Sequence, residues 1–328
     1  MNTAASSMLL AALACLSCEL RESRQVRPAY PPPGYSPPGY PAPGYPAPGY
    51  PAPSHPAPQQ SVPQGNYGAP PPQAQGQPGS GVVWTPVPPT NGSSNPTWGP
   101  TLTDIMQRKP ARETGTWPDE EGTAHELTHS IGFELRLAAT RTDRRATGFY
   151  VLGGRAAILH EPSFRKAQVA ALIPPSLRRY RYDLYLAGQP GWDDRPLYVW
   201  DEWNAYINGA TVAIERYQLG LEPHTTFAVK DVVLAVLEFT VYAAADILAA
   251  MQYEPSYLSQ QPQSREFFAF NAERAMSVFQ RGRKLPPFDY PDTDAYEATF
   301  KAAPEAEPLR ASLRSLYGAG WTRRVFGF

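Results

Sequence analysis

Residues His125-Glu126-Leu127-Thr128-His129 are the part of this chain whose types and spacing could do chemistry. On an α-helix, residues four apart sit on one face, so both imidazoles can reach a single ion. Glu126 lies about 100° round the same helix from His125, near enough to hold a water on that ion. Zinc bound there would lower the pKa of the water towards neutrality, and the carboxylate would take its proton as the water attacks a carbonyl. These roles make His125 and His129 metal ligands and Glu126 a general base. Two histidines do not complete such a site, because catalytic zinc normally takes three protein ligands and a water.

The five residues read HExxH and resemble the zinc-binding helix of zincin metallopeptidases. HELTH is also the local wording of thermolysin-like peptidases. Those enzymes draw their third ligand from a Glu shortly downstream, where this chain has Gly148-Phe149-Tyr150. The metzincin pattern HExxHxxGxxH fits one residue further, with Gly132 at its glycine, but Leu135 stands at its third ligand and no Met-turn follows. The resemblance that remains is to the gluzincin group, in which a remote Glu completes the site. In Trp200-Asp201-Glu202-Trp203-Asn204-Ala205-Tyr206, the Glu-x-x-Ala-Tyr portion resembles the third-ligand helix of several gluzincins, where a small residue lets two helices approach closely. The resemblance implies Zn²⁺ held by His125, His129 and Glu202.

From the residues alone, other third ligands stay open. Asp201 and Glu202 would also suit the first turn of a helix, where the dipole favours acids, and Asp201 could itself ligate. Glu238, set among Val236, Leu237, Phe239 and Val241, is expected to be buried. It could serve as a ligand, as the partner of a ligating His, or in a core ion pair with Arg. His160 would make a three-histidine site, or sit at its rim. For the donor to a developing oxyanion, Tyr150, His160 and Tyr206 are suitable by type, and no spacing rule chooses among them.

Composition bounds what surrounds this site. From Pro28 to Pro100 there is no Asp, Glu, Lys or Arg, and most of the chain's 39 prolines fall there. Such a stretch cannot bury a core. The expected organisation is a signal peptide over residues 1–18, a disordered Pro/Gly/Tyr-rich linker over 19–100, and one metallohydrolase domain over 101–328. Tyr30, Tyr35, Tyr40, Tyr45 and Tyr50 mark a five-residue repeat that favours extended polyproline conformations and reads as a spacer. Trp84 and Trp98 could dock on the domain or lie loose in the linker. The apolar run Met8 to Ala14 ends at Cys15 and Cys18, which resembles an export signal and, at either cysteine, a bacterial lipoprotein cleavage site. The expected location is therefore the bacterial cell envelope, through a lipid anchor, or the exterior. The mature domain has no cysteine, so it holds neither a disulfide nor a Cys-rich zinc site. With a net charge of −1 and no basic stripe interleaved with aromatics, nucleic acid is not an expected partner. The Arg178-Arg179-Tyr180-Arg181 cluster reads as a solvated or ion-paired surface.

The elements that must position the site follow from periodicity. Leu127, Ile131 and Leu135 recur every four residues, predicting an amphipathic helix from about 119 to 139 with Pro118 in its first turn. Residues 148–152 and 155–159 flank Gly153-Gly154 as a two-residue hairpin. Helices are expected near 163–173, 197–219, 231–251, 263–282 and 304–317. The segment Asp231 to Met251 is apolar enough to suggest a membrane span, but Glu238 and Asp246 inside it favour the central helix of a soluble domain. The fold class expected is α+β and predominantly helical, a zincin-like metallopeptidase domain with a small β-hairpin or sheet. The function expected is an exported zinc metallohydrolase, foremost a peptidase acting on a peptide or protein; a cell-wall amidase shares the motif. The rival is a non-catalytic cell-envelope structural or binding lipoprotein with a vestigial or structural zinc site. The intact Glu126 speaks for the enzyme.

Overall fold

The computed structural model describes residues 78–143, 145–221 and 230–328. The proposed signal, both cysteines and the tyrosine repeat lie outside the described residues. In chain order the elements are β1 (Thr85–Pro86), α1 (Gly99–Met106), α2 (Glu120–Ala139), β2 (Ala146–Tyr150), β3 (Arg155–His160), α3 (Lys166–Leu172), α4 (Tyr198–Gln218), α5 (Val232–Tyr253), α6 (Tyr257–Gln260), α7 (Pro262–Gly282), α8 (Thr293–Ala302), α9 (Glu307–Tyr317) and α10 (Ala319–Phe326). The protein is predominantly helical α+β, with one small antiparallel sheet of strand order β1-β3-β2.

Helix α5 is the centre of the fold. It is long and apolar enough to cross a membrane, yet the whole of its apolar window is buried inside the molecule. Helices α3, α4, α7 and α9 pack on it. All-round hydrophobicity of this kind is what a core helix requires. Its inner acid Asp246 is 2% exposed, and neither carboxylate oxygen has a hydrogen-bond partner. Burial pushes its carboxyl well above the usual range, with nearby Glu161 adding to the rise.

The motif helix α2 starts at Asp119, whose side chain accepts the Gly122 N–H at 2.6 Å, so Pro118 precedes the cap instead of occupying the first turn. Glu120 and Glu121 follow in the first turn and Arg136 sits in the last, each sign matched to the helix dipole. On its other side α2 lies against β2. A Cβ on Gly132 would come 2.7 Å from the Gly148 carbonyl oxygen, and one on Gly148 would come 2.5 Å from Leu135 Cβ. Gly132 is therefore explained by close helix–strand approach, and Leu135 packs on the minor apolar cluster of Leu102, Ile105, Leu127, Ile131 and Tyr150.

Two further features depart from the sequence reading. The hairpin loop is longer than Gly153-Gly154: Val151 N–H bonds to Arg155 O, and Leu152, Gly153 and Gly154 all have positive φ. Leu152 accepts that backbone because its side chain packs on the minor cluster. The other departure lies in residues 78–100, expected in the linker. Thr85 pairs with Ala156, the Gly79 N–H bonds Glu266 at 2.7 Å, Trp84 meets Phe270 edge-on at 4.7 Å, and Trp98 packs on the minor cluster. These aromatics and the β3 edge supply anchors that proline-rich composition hides.

Candidate metal centre

Helices α2 and α4 lie against one another and carry the centre between them. Close approach is possible because Ala205 and Gly209 on α4 offer little bulk; a Cβ on Gly209 would come 3.2 Å from Glu121 O. Along the pair, His125 and His129 of α2 meet Glu202 of α4. His125 Nε2 and His129 Nε2 are 3.1 Å apart, and each is 3.5 Å from Glu202 Oε2. A tetrahedral ion bound at about 2.0–2.1 Å has ligand atoms about 3.3–3.4 Å apart, so the three donors already stand near the edges of one coordination tetrahedron. Glu202 is 1% and His125 6% exposed. This buried His125-His129-Glu202 group could hold a metal ion.

Its electrostatics fit that use. Burial opposes ionisation of Glu202, but His129 and His125 hold its carboxyl well below the usual carboxylate range. Burial would lower His129, yet the Asp201 and Glu202 carboxylates outweigh it and raise the imidazole well above its ordinary value. Two acids and two imidazoles converge here, a set of donors that suits a divalent ion.

The rival ligands are committed elsewhere. Asp201 Oδ2 accepts from His129 Nδ1 at 2.8 Å, which leaves the opposite nitrogen of that ring facing His125 and Glu202. A carboxylate on the far nitrogen of a ligating histidine fixes tautomer and ring orientation. Glu238 receives Arg181 Nη1 at 2.9 Å and Arg179 Nε at 3.1 Å. It belongs to a core ion pair, joined by Asp231, which takes Arg181 Nη2 at 2.8 Å. Arg181 is thus 2% exposed, and the basic cluster read as surface sends one guanidinium inward. His160, at the end of β3, pairs with Asp143 at 2.7 Å and lies outside the group of three.

Glu126 is 5% exposed and points from the same turn of α2. Burial pushes its carboxyl up, against the pull of His125 and His129. Of the three candidate oxyanion donors, the Tyr150 hydroxyl is bound to Asp104 and His160 to Asp143. The Tyr206 ring stands edge-on to His125 at 4.5 Å between centroids. Its hydroxyl accepts from Arg181 Nε at 3.3 Å and lies 2.9 Å from the Tyr185 hydroxyl. Tyr185 comes from a π-helical turn over Tyr182–Ala187, a geometry that local hydrophobic spacing does not announce. Burial raises both phenols, so both remain neutral donors.

Comparisons with family models, with curated proteins and with solved structures give no match. The functional reading therefore rests on the geometry. The segment ahead of α2 also contributes: Glu113 accepts the Ser130 hydroxyl at 2.7 Å, tying residues before the motif helix onto a half-buried part of it.

Proposed function

We propose that the chain is an exported zinc-dependent metallohydrolase, most naturally a peptidase of the gluzincin type within the zincins. The observation that carries this reading is the near-tetrahedral spacing of His125, His129 and Glu202, at 3.1, 3.5 and 3.5 Å, with Glu126 on the same turn. When bound, zinc would supply Lewis acidity to a substrate carbonyl and a lowered pKa to the attacking water. Glu126 takes the proton of that water and passes it to the leaving amine. Its enclosed carboxyl, raised by burial, is suited to both halves of the transfer. Asp201 holds His129 in the tautomer whose Nε2 faces the ligand group. Tyr206, steadied by Arg181 and Tyr185, supplies the neutral donor to the oxyanion. The substrate is a peptide or protein, and the apolar run Met8 to Ala14 before Cys15 and Cys18 supports export to the bacterial envelope or beyond.

The opposing reading is a non-catalytic envelope lipoprotein with a structural site. Closed coordination would need a fourth protein ligand, and Asp201 and His160 are both engaged otherwise.

The test is metal content by mass spectrometry on the full chain, as wild type and Glu202→Ala. The expected result is about one zinc per wild-type chain, marked loss in the variant, and hydrolysis of a peptide library abolished by Glu126→Gln. A metal-free wild type removes the enzyme reading. Zinc binding without hydrolysis that depends on Glu126 moves the conclusion to the structural lipoprotein.

A further inference from the structure

Arg274 on α7 is a guanidinium with no carboxylate against it among the described residues. Its Nη1 donates to Asn204 Oδ1 at 3.1 Å and Asn271 Oδ1 at 2.7 Å, and its Nη2 donates to Asn208 Oδ1 at 2.6 Å. Asn204 and Asn208 are fully buried on successive turns of α4. Their amide groups point onward. Asn204 Nδ2 donates to Tyr150 O at 2.7 Å; Asn208 Nδ2 donates to the same carbonyl at 3.0 Å and to Thr128 Oγ1 at 3.1 Å. Thr128 is the residue before His129, and its own hydroxyl donates to Ala124 O at 2.7 Å. One cation on α7 thereby reaches the motif helix α2, the strand β2 and the helix carrying Glu202.

The chemistry explains why the cation is there. A buried amide can turn over, since its oxygen and nitrogen have nearly the same shape. Turned over, Asn204 and Asn208 would set carbonyl oxygens against Tyr150 O. The guanidinium accepts nothing, so it forces both Oδ1 atoms towards α7 and both Nδ2 groups towards α2 and β2. A lysine cannot reach three oxygens in one fixed fork. Burial and the nearby Arg155 lower Arg274 to about 9, which still leaves it charged at neutral pH. Holding an unneutralised cation in this interface costs stability, so its placement has to be explained by what it orients.

We propose that Arg274 is a positioning residue for the metal centre. By fixing the Asn204 and Asn208 amides, it locks α4 on α2 in the register that brings Glu202 to His125 and His129. This rests on the reading that those three residues hold a metal.

The experiment measures Zn²⁺ affinity of the full chain by chelator competition, with the visible spectrum of the Co²⁺-loaded chain as a second readout. Arg274→Lys keeps the charge and loses the fork. It should weaken Zn²⁺ binding by about tenfold and alter the cobalt bands. Arg310→Lys is the control, because Arg310 is likewise bonded to Glu307, Phe300 O and Ala303 O but serves α9. It should lower the melting temperature and leave both metal readouts unchanged. Thr128→Val, which removes only the last link, should follow Arg274→Lys, and Thr128→Ser should restore wild-type binding. This pair decides the matter if Arg274→Lys does not fold. Unchanged affinity and spectrum in Arg274→Lys and Thr128→Val would overturn the proposal and leave a purely structural hub. A wild type that takes no metal defeats the functional reading instead. The inference is then read from the His125 and His129 ring resonances of the metal-free chain, which must move in Arg274→Lys but not in Arg310→Lys; resonances that stay fixed overturn it.

Discussion

Glu202 on α4 and Glu238 on α5 are both carboxylates with almost no exposure, 1% and 0%, on helices packed against one another. Their surroundings differ in kind. Glu202 faces two imidazoles, which can give up their protons and share an ion. Glu238 faces Arg181 and Arg179, which cannot be deprotonated and close the charge at once. Burial of an acid thus says little about its use. What separates a ligand from an ion-pair partner is whether the groups opposite can change protonation state. A third case sharpens this: Glu161 and Asp246 are 2% exposed each, and among the described residues neither is hydrogen-bonded to a cation.

Substitutions at these acids should divide accordingly. The largest effect is expected for Glu126→Gln, which should cut peptide hydrolysis by about 10²–10⁴-fold while metal content stays at the wild-type level. Glu238→Ala should do the reverse. It leaves the Arg181 guanidinium short of a partner in the core and should cost about 3–5 kcal/mol in a denaturant melt, with metal stoichiometry unchanged. Metal lost from a still-folded Glu238→Ala chain would erase the distinction between the two acids.

The unpaired acids predict a pH signature. Burial raises Glu161 from about 4.5 to about 7, despite the Thr147 hydroxyl and the Leu197 N–H it accepts. The folded chain therefore keeps a proton that the unfolded chain has released. Stability falls as pH rises from about 4.5 to 7, by about 2–3 kcal/mol from this group. Urea melts across that window should show the slope, and Glu161→Gln should reduce it, leaving the part that Asp246 contributes. The smallest effect belongs to Asp201→Asn, which keeps a side chain beside His129 Nδ1 but removes its charge. Zn²⁺ affinity should fall by about 10–100-fold in chelator competition, and an unchanged affinity would deny Asp201 its orienting part.

How much of this could be read in advance varies with the range of the interaction. The motif helix and the helices over 198–218 and 232–253 are visible in local apolar spacing, because each must bury a face. The spacing of His125 and His129 on one helix face, and the carboxylate of Glu202 in the helix expected over 197–219, were legible, and the structure brings the three together as a group that could hold a metal ion. Asp201 suits a ligand by sequence, since nothing local says that its carboxylate turns towards the far side of His129. Arg181 looked like surface because its partners, Asp231 and Glu238, are 50 and 57 residues away. Residues 78–100 looked like linker because two anchoring tryptophans and one short strand leave hardly any mark on composition. Arg274 gave no signal, as an arginine that meets three asparagines has no motif.

The two-residue strand Thr85–Pro86 sets the outer margin of the sheet. A bare β3 would present a row of open backbone donors and acceptors, the kind of surface on which another chain can add a strand. Thr85 and Pro86 occupy that row, and the proline brings no N–H of its own with which the ladder could continue outward. A chain shortened to begin at Thr101 would keep His125, His129 and Glu202, the group that could hold a metal ion, and lose this guard. Its expected fate is self-association through β3, so colloidal behaviour is set more than a hundred residues before Glu202.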